Sequence, residues 1–257
     1  MCRSIDILGG IGLTIAICLT ASGQQIKDSV LLASPDAAVE YLVSLRHGLT
    51  FLDEEAQRVL EGVKAKPETY VGALQKILSI PLDDQLLSSL DDVHRLSRAL
   101  DLARQMDSRH TGNVVHRFFD ATARVSRNLR SRRQPAERVD PDSRLERAYR
   151  NVVLLRDDSL KVLSDFNDPY SVDVCVDSIE EERKTTSEVV MLQYLEKVGP
   201  LRPDIRPKLE EMYNSPDSPL RNNPQLLRVL EAMDTADREK NQDKKNPEFR
   251  PKGERNP

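Results

Sequence analysis

Residues 111–132 read TGNVVHRFFDATARVSRNLRSR and show the clearest periodicity in the chain. Wound as a helix at about 100° per residue, one set of mainly apolar side chains falls within an arc of about 100°: Val114, Val115, Phe118, Thr122, Val125 and Leu129. Arginines occupy the opposite side: Arg117, Arg124, Arg127 and Arg130. The pattern predicts an amphipathic helix whose apolar face packs against other parts of the chain.

The same three- and four-residue spacing of apolar residues continues in both directions, without the alternation that marks strands. Helix starts are indicated by Ser34-Pro35-Asp36, Thr50 with Asp53, Pro67, and Pro81 with Asp83 and Asp84, and Gly199-Pro200 indicates a stop. We therefore predict helices over residues 35–47, from 50, from 67, over 81–106 with a break near Ser89, and over 111–132, 142–166, 174–198, 203–213 and 224–237. The predicted fold class is all-α, either an irregular α-solenoid of helical hairpins or a compact multi-helix bundle.

The N-terminus has the pattern of a secretory signal peptide. Residues 7–21 are apolar and almost uncharged, Arg3 precedes them, and Ala21-Ser22-Gly23 resembles a cleavage site before Gln24. The run is short for a membrane span, which needs about 20 apolar residues. We expect residues 1–23 to be removed and the protein to be periplasmic or secreted; the alternative is an anchor formed by an uncleaved signal.

Residues 24–237 are predicted to form the helical domain, with a possible subdivision at the proline-containing linker 134–141. Residues 238–257 are charged and almost free of large apolar groups, so we expect a disordered tail. Cys175 would be the one cysteine left after cleavage, which excludes an internal disulfide, and its apolar neighbours predict a buried side chain. The absence of a glycosylation sequon favours a bacterial envelope or secreted protein.

Positive charge is concentrated in the middle of the chain. Residues 104–156 hold thirteen arginines, no lysine and six acidic residues, a formal charge of +7 in a chain of −4, so the remainder carries −11. The candidate anion- or partner-binding residues are Arg117, Arg124, Arg127, Arg130, Arg132, Arg133, Arg144, Arg147, Arg150 and Arg156. Guanidinium groups suit carboxylates and phosphates because they present a rigid fork of donors. The alternative is a solvated helix face whose arginines pair with acidic residues of the same chain.

Arg156 differs from the other candidates because it falls on the apolar side of its predicted helix. A partly buried arginine needs a counter-charge, which Asp157, Asp158 or Asp120 could supply, or else the carboxylate of a ligand. Elsewhere the sequence has no phosphate loop, nucleophile elbow or zinc-type spacing among its four histidines. We therefore predict no catalytic site, metal or cofactor.

Two segments near the C-terminus, Pro203-Asp204-Ile205-Arg206 and Ser215-Pro216-Asp217-Ser218-Pro219-Leu220-Arg221, resemble the Asp-x-x-Pro-x-Val-Arg turn of HEAT-type repeats. The resemblance covers about residues 203–235. It implies helical hairpins stacked into a curved superhelix that holds partner proteins.

Together these features favour a non-enzymatic, exported protein-interaction module. The alternative is a binding or carrier protein that takes an anionic ligand, lipid or envelope polymer on its arginine-rich central hairpin. Nucleic acid is disfavoured, because the chain is acidic overall and no aromatic residues are interleaved with the arginines. No integral membrane span is expected after signal cleavage.

Overall fold

A computed structural model describes residues 34–46, 48–50, 52–133 and 140–245 of the chain. Every regular element in these ranges is helical, which confirms the all-α fold class. The α-helices are α1 (Pro35–Ser44), α2 (Glu54–Ala65), α3 (Pro67–Leu78), α4 (Asp84–Ser88), α5 (Leu90–Gln105), α6 (Ser108–Arg132), α7 (Arg144–Asp165), α8 (Val172–Ser178), α9 (Thr186–Val198), α10 (Arg206–Asn214) and α11 (Pro224–Lys245). Two short 3₁₀ helices, Gly199–Leu201 and Pro203–Ile205, lie between α9 and α10. None of these helices is both long enough and apolar enough to cross a membrane.

Local capping explains most of the helix starts. The Ser34 hydroxyl accepts from the Ala37 amide, and Pro35 opens α1 as predicted. Ser89 separates α4 from α5 and accepts from the Asp92 amide, which confirms the predicted break. Thr50 was expected to cap the second helix, but Asp53 does so instead, since its Oδ1 accepts from the Ala56 amide at 2.8 Å. A carboxylate three residues nearer the helix is the better partner for its free amides.

The predicted single helix over residues 174–198 is wrong. The chain forms α8 and α9 instead, and turns occupy residues 179–185 between them. Lys184 adopts a positive φ of 62°, and Thr185 caps α9 by accepting from the Glu188 amide at 3.3 Å. The Glu188 carboxylate in turn accepts from the Lys184 amide. Thr185-x-x-Glu188 thus resembles a capping box, with the return hydrogen bond made to the Lys184 amide one residue before the N-cap, and α9 begins as a new helix after it.

The long helices α6 and α7 form an antiparallel pair. Arg133, just past the end of α6, binds Glu146 in the first turn of α7, whereas His116 near the start of α6 contacts Asp168 beyond the end of α7. Helix α7 also packs against α4, α5 and α9, while α11 packs on α9 and α10. One hydrophobic core runs through this arrangement, from Ala38 in α1 to Met233 in α11.

The last helix of the chain is longer than predicted. Helix α11 continues to Lys245, past the expected end near Asp237, because residues 238–245 include lysine, arginine, glutamate and glutamine, which favour helix without packing. Three predicted segments lie outside the described residues: the signal peptide, residues 134–139 of the linker and residues 246–257 of the tail. Of the two segments that resemble a HEAT turn, the first leads into α10, which begins at Arg206. The second connects α10 to α11.

Candidate functional site

The candidate arginines fall into three groups according to their surroundings. Arg156 is buried, with 4% of its surface exposed. Arg130, Arg132 and Arg133 bind carboxylates contributed by other elements. The remaining six are exposed, and no carboxylate of the described residues lies within ion-pair distance of them: Arg117, Arg124, Arg127, Arg144, Arg147 and Arg150. The ten arginines that the sequence pattern places in one candidate set therefore have three different environments in the fold.

Arg156 takes its counter-charges from inside the protein. Its Nη1 donates to Glu182 Oε1 at 3.0 Å, and its Nη2 lies 3.5 Å from Asp157 Oδ1. Asp157 is one of the predicted partners, but the closer carboxylate belongs to Glu182, in the turns between α8 and α9 where the sequence predicts a continuous helix. The other two predicted partners are engaged elsewhere, Asp158 with Lys161 and Asp120 with Tyr170.

The carboxylate of Asp157 completes this buried cluster. Its Oδ2 accepts from the Ser187 hydroxyl at 2.7 Å, which ties α7 to the start of α9. Burial raises the pKa of Asp157, because removal from water disfavours the charged form, while the hydrogen bond from Ser187 and the charge of Arg156 oppose the shift. The Arg156 Nε atom is buried without a hydrogen-bond partner among the described residues.

The three ion-paired arginines join the end of α6 to its neighbours. Arg130 Nη1 lies 3.2 Å from Glu181 Oε2 and 3.4 Å from Glu182 Oε1, so it connects α6 to the segment between α8 and α9. Arg132 Nη2 binds Asp84 Oδ2 in α4 at 2.8 Å. Arg133 binds Glu146 through two hydrogen bonds of 2.9 Å, and its guanidinium lies 4.2 Å from the centre of the Tyr149 ring. These contacts match the prediction that arginines pair with acidic residues of the same chain.

Three of the other six arginines project from one side of α6. Arg117 and Arg124 make no side-chain hydrogen bond or ion pair with any described residue, and Arg127 donates only to the carbonyl of Ala123, one turn earlier. A neutral carbonyl does not offset a full positive charge. We name Arg117, Arg124 and Arg127 the α6 arginine face.

The other three lie on the first two turns of α7. Arg144 donates to the Asp84 carbonyl at 3.3 Å, Arg147 to the Asp142 carbonyl at 2.8 Å, and Arg150 to the Pro141 carbonyl at 2.7 Å. These bonds hold the guanidinium groups close to the backbone but leave their charges uncompensated by described carboxylates. We name Arg144, Arg147 and Arg150 the α7 arginine cluster.

An aromatic and acidic cluster borders the α6 arginine face. The Tyr170 ring stacks on the imidazole of His116, with ring centres 3.9 Å apart and planes inclined by 6°. His116 Nε2 lies 2.7 Å from Asp168 Oδ2, and the Tyr170 hydroxyl donates to Asp120 Oδ2 at 2.8 Å. That hydrogen bond raises the pKa of Tyr170, since the phenolate would lose it and face the carboxylate.

This cluster is not predicted from the sequence. Asn167-Asp168-Pro169 carries a helix-stop signal, and nothing in the sequence links Tyr170 to a residue fifty positions earlier. Backbone geometry holds the tyrosine in place as well, because its amide donates to Asp168 Oδ1 at 2.9 Å, while the Tyr194 hydroxyl donates to the Asp168 carbonyl at 2.7 Å.

Within the described ranges, no group of three or more histidine, cysteine, aspartate or glutamate side chains is arranged to hold a metal ion. Cys175 is fully buried, as predicted, and burial raises the pKa of its thiol. A depression of about 120 Å³ lies between α7 and α9, lined by Leu160, Lys161, Ser164, Asp165, Val190, Gln193 and Tyr194. Its volume is well below the roughly 300–1,000 Å³ typical of small-molecule sites.

The geometry thus provides exposed arginines on α6 and α7, a buried ionic cluster that connects α7 to α9 and to the turns before it, and a tyrosine at the border of the α6 arginine face. The chain matches no known protein-family model, and no curated protein or solved structure is detectably similar to it.

Proposed function

We propose that this chain is a non-enzymatic, exported helical module that binds an acidic partner protein through exposed arginines. One observation carries the proposal. Six arginines on α6 and α7 have no carboxylate partner among the described residues, although the chain has 42 acidic residues for 38 lysines and arginines. Uncompensated positive charge on an acidic protein favours a partner that supplies the missing carboxylates.

The shape of these surfaces favours a protein over the alternative of a small anionic ligand. The six arginines lie on exposed helix surfaces, and Arg156, the arginine best placed to hold a ligand carboxylate in a pocket, binds Glu182 and Asp157 instead. The HEAT-like turn before α10 adds a resemblance to a class of repeats that hold proteins. Anionic lipid and envelope polymers share the same charge chemistry, and the experiment below separates anionic lipid from an acidic protein.

The test replaces all six arginines of the α6 arginine face and the α7 arginine cluster with glutamine. Binding to immobilised poly-L-glutamate should fall by about tenfold or more, since each of the six exposed charge pairs contributes about 0.2–1 kcal/mol. Wild-type binding should weaken with added salt, because exposed charges are screened over about 8–10 Å. Surface plasmon resonance at two salt concentrations measures both effects.

A matched control removes the same formal charge where each basic group already has a carboxylate partner. It replaces Lys64, Lys76, Arg104, Arg109, Lys161 and Lys208 with glutamine. This variant should retain most of the binding. Equal losses in the two variants would refute the proposal, as would wild-type binding to phosphatidylglycerol vesicles without binding to poly-L-glutamate.

Export is tested separately. The protein recovered from the producing cells should begin at Gln24, because the apolar run and the Ala21-Ser22-Gly23 site are typical of a cleaved signal peptide. Edman sequencing of protein from the periplasm or medium gives the N-terminus directly. Soluble cytoplasmic protein with Met1 intact would contradict the assignment.

A further inference from the structure

The α6 arginine face has a regular spacing along its helix. Arg117 and Arg124 are seven residues apart, so they lie almost in line, about 10.5 Å apart along the axis. Arg127 lies one turn further on, and all three side chains are exposed. A second helix laid alongside would present carboxylates at the same seven-residue spacing.

Asp120 is positioned on α6 to form an ion pair with this face but does not do so. Asp120 lies three residues after Arg117 and four before Arg124, the separations at which helical side chains form ion pairs. Neither arginine is within ion-pair distance of it. Its Oδ2 instead accepts the hydrogen bond from the Tyr170 hydroxyl at 2.8 Å.

Several contacts hold Tyr170 in the position from which it donates to Asp120. Its ring stacks on His116, which contacts Asp168, and its own amide donates to the other oxygen of the Asp168 carboxylate. The ring nevertheless remains 47% exposed at the border of the α6 arginine face. Exposed tyrosine beside arginine is the composition found where a few residues supply most of the energy of a protein interface.

We propose that the α6 arginine face and Tyr170 form the docking surface for an acidic helical segment of the partner, and that the hydrogen bond from Tyr170 keeps the Asp120 carboxylate from forming an ion pair with Arg117 or Arg124. The inference rests on the proposed function and selects α6 over α7. The arginines of the α7 arginine cluster donate to backbone carbonyls of the chain, so they would have to exchange those bonds for a partner's carboxylates. Arg117 and Arg124 have no such bond to exchange.

The probe is a synthetic alanine-based helical peptide of about three heptads, with glutamates in one line at seven-residue spacing. A second peptide of identical composition, with its glutamates distributed around the helix, is the control. Fluorescence anisotropy should show tighter binding of the first peptide. Replacing Arg117 and Arg124 with glutamine should weaken that binding by about two- to thirtyfold. Equal affinity for the two peptides would overturn the inference that the partner segment is a helix with aligned carboxylates.

The role of Tyr170 is tested by Tyr170→Phe, which retains the ring but removes its hydroxyl. Released from its hydrogen bond, Asp120 should pair with Arg117 or Arg124, and the aligned peptide should bind about two- to fivefold more weakly. Adding Asp120→Asn to this variant should restore wild-type affinity, which a purely structural role of the hydroxyl does not predict. Unchanged binding in Tyr170→Phe, or no recovery in the double variant, would overturn the role of Tyr170.

The triple glutamine variants distinguish this inference from the proposed function. If replacing Arg144, Arg147 and Arg150 abolishes binding to poly-L-glutamate while replacing Arg117, Arg124 and Arg127 does not, the docking surface is wrong and the proposed function stands. If neither triple variant binds less than wild type, both fail. Loss confined to the α6 variant supports both.

Discussion

Replacing Glu182 with glutamine should lower the free energy of unfolding by about 3–5 kcal/mol, because the change leaves a buried guanidinium without its closest counter-charge. The Glu182 side chain is 5% exposed and lies 3.0 Å from Arg156 and 3.4 Å from Arg130. Asp157 remains, but at 3.5 Å from Arg156 it is the more distant carboxylate. The melting temperature should fall by about 10 °C, measurable by circular dichroism.

The adjacent residue provides a matched control. Glu181 also binds Arg130, at 3.2 Å, but its side chain is 63% exposed. Glu181→Gln should therefore cost less than about 1 kcal/mol. If the loss in Glu182→Gln is as small as that in Glu181→Gln, Asp157 is sufficient to compensate Arg156, and the segment between α8 and α9 does not depend on Glu182.

Replacing Leu155 with alanine should lower the free energy of unfolding by about 2–5 kcal/mol, because it leaves a cavity in the core. The cavity would lie beside α7, the helix that most of the other long helices contact. Leu155 is fully buried on α7, which packs against α4, α5, α6 and α9. Urea denaturation should show a lower midpoint with little change in slope.

Leu154→Ala removes the same atoms from the next position of α7, where the side chain is 44% exposed. This control should change stability by less than about 0.5 kcal/mol. The comparison tests the rotation of α7 about its axis, and so which of its faces points to the core. Equal losses, or a larger loss for Leu154, would contradict the orientation described above.

Much of the helical framework was predictable because its signals are local. Pro67 opens α3 and Ser89 separates α4 from α5, since proline geometry and capping hydrogen bonds involve residues within a few positions of each other. The one long helix that was predicted wrongly also had a local signal. The capping motif of Thr185 and Glu188 was present in the sequence, but the apolar spacing on either side suggested continuity.

The candidate site was predictable only as a set of charges. Periodicity placed Arg117 and Arg124 opposite the apolar face of α6, and both are exposed in the structure. The same reasoning could not separate them from Arg130, whose position on the helix is also polar but which binds Glu181 and Glu182. Exposure follows from helix geometry, whereas a counter-charge depends on which other element packs alongside.

Residue types and their short spacings are enough to predict the fold class, most of the helix boundaries and the excess of arginine over residues 104–156. Each of these depends on residue type and on spacings of a few positions, over which backbone geometry is known. Tertiary packing, in contrast, is what places Glu182 against Arg156 and Tyr170 against Asp120. These partners are 26 and 50 residues apart, and packing of the helices brings them within hydrogen-bond distance. No local preference encodes such a pairing, because it depends on how α7, α9 and the turns between them dock onto α6.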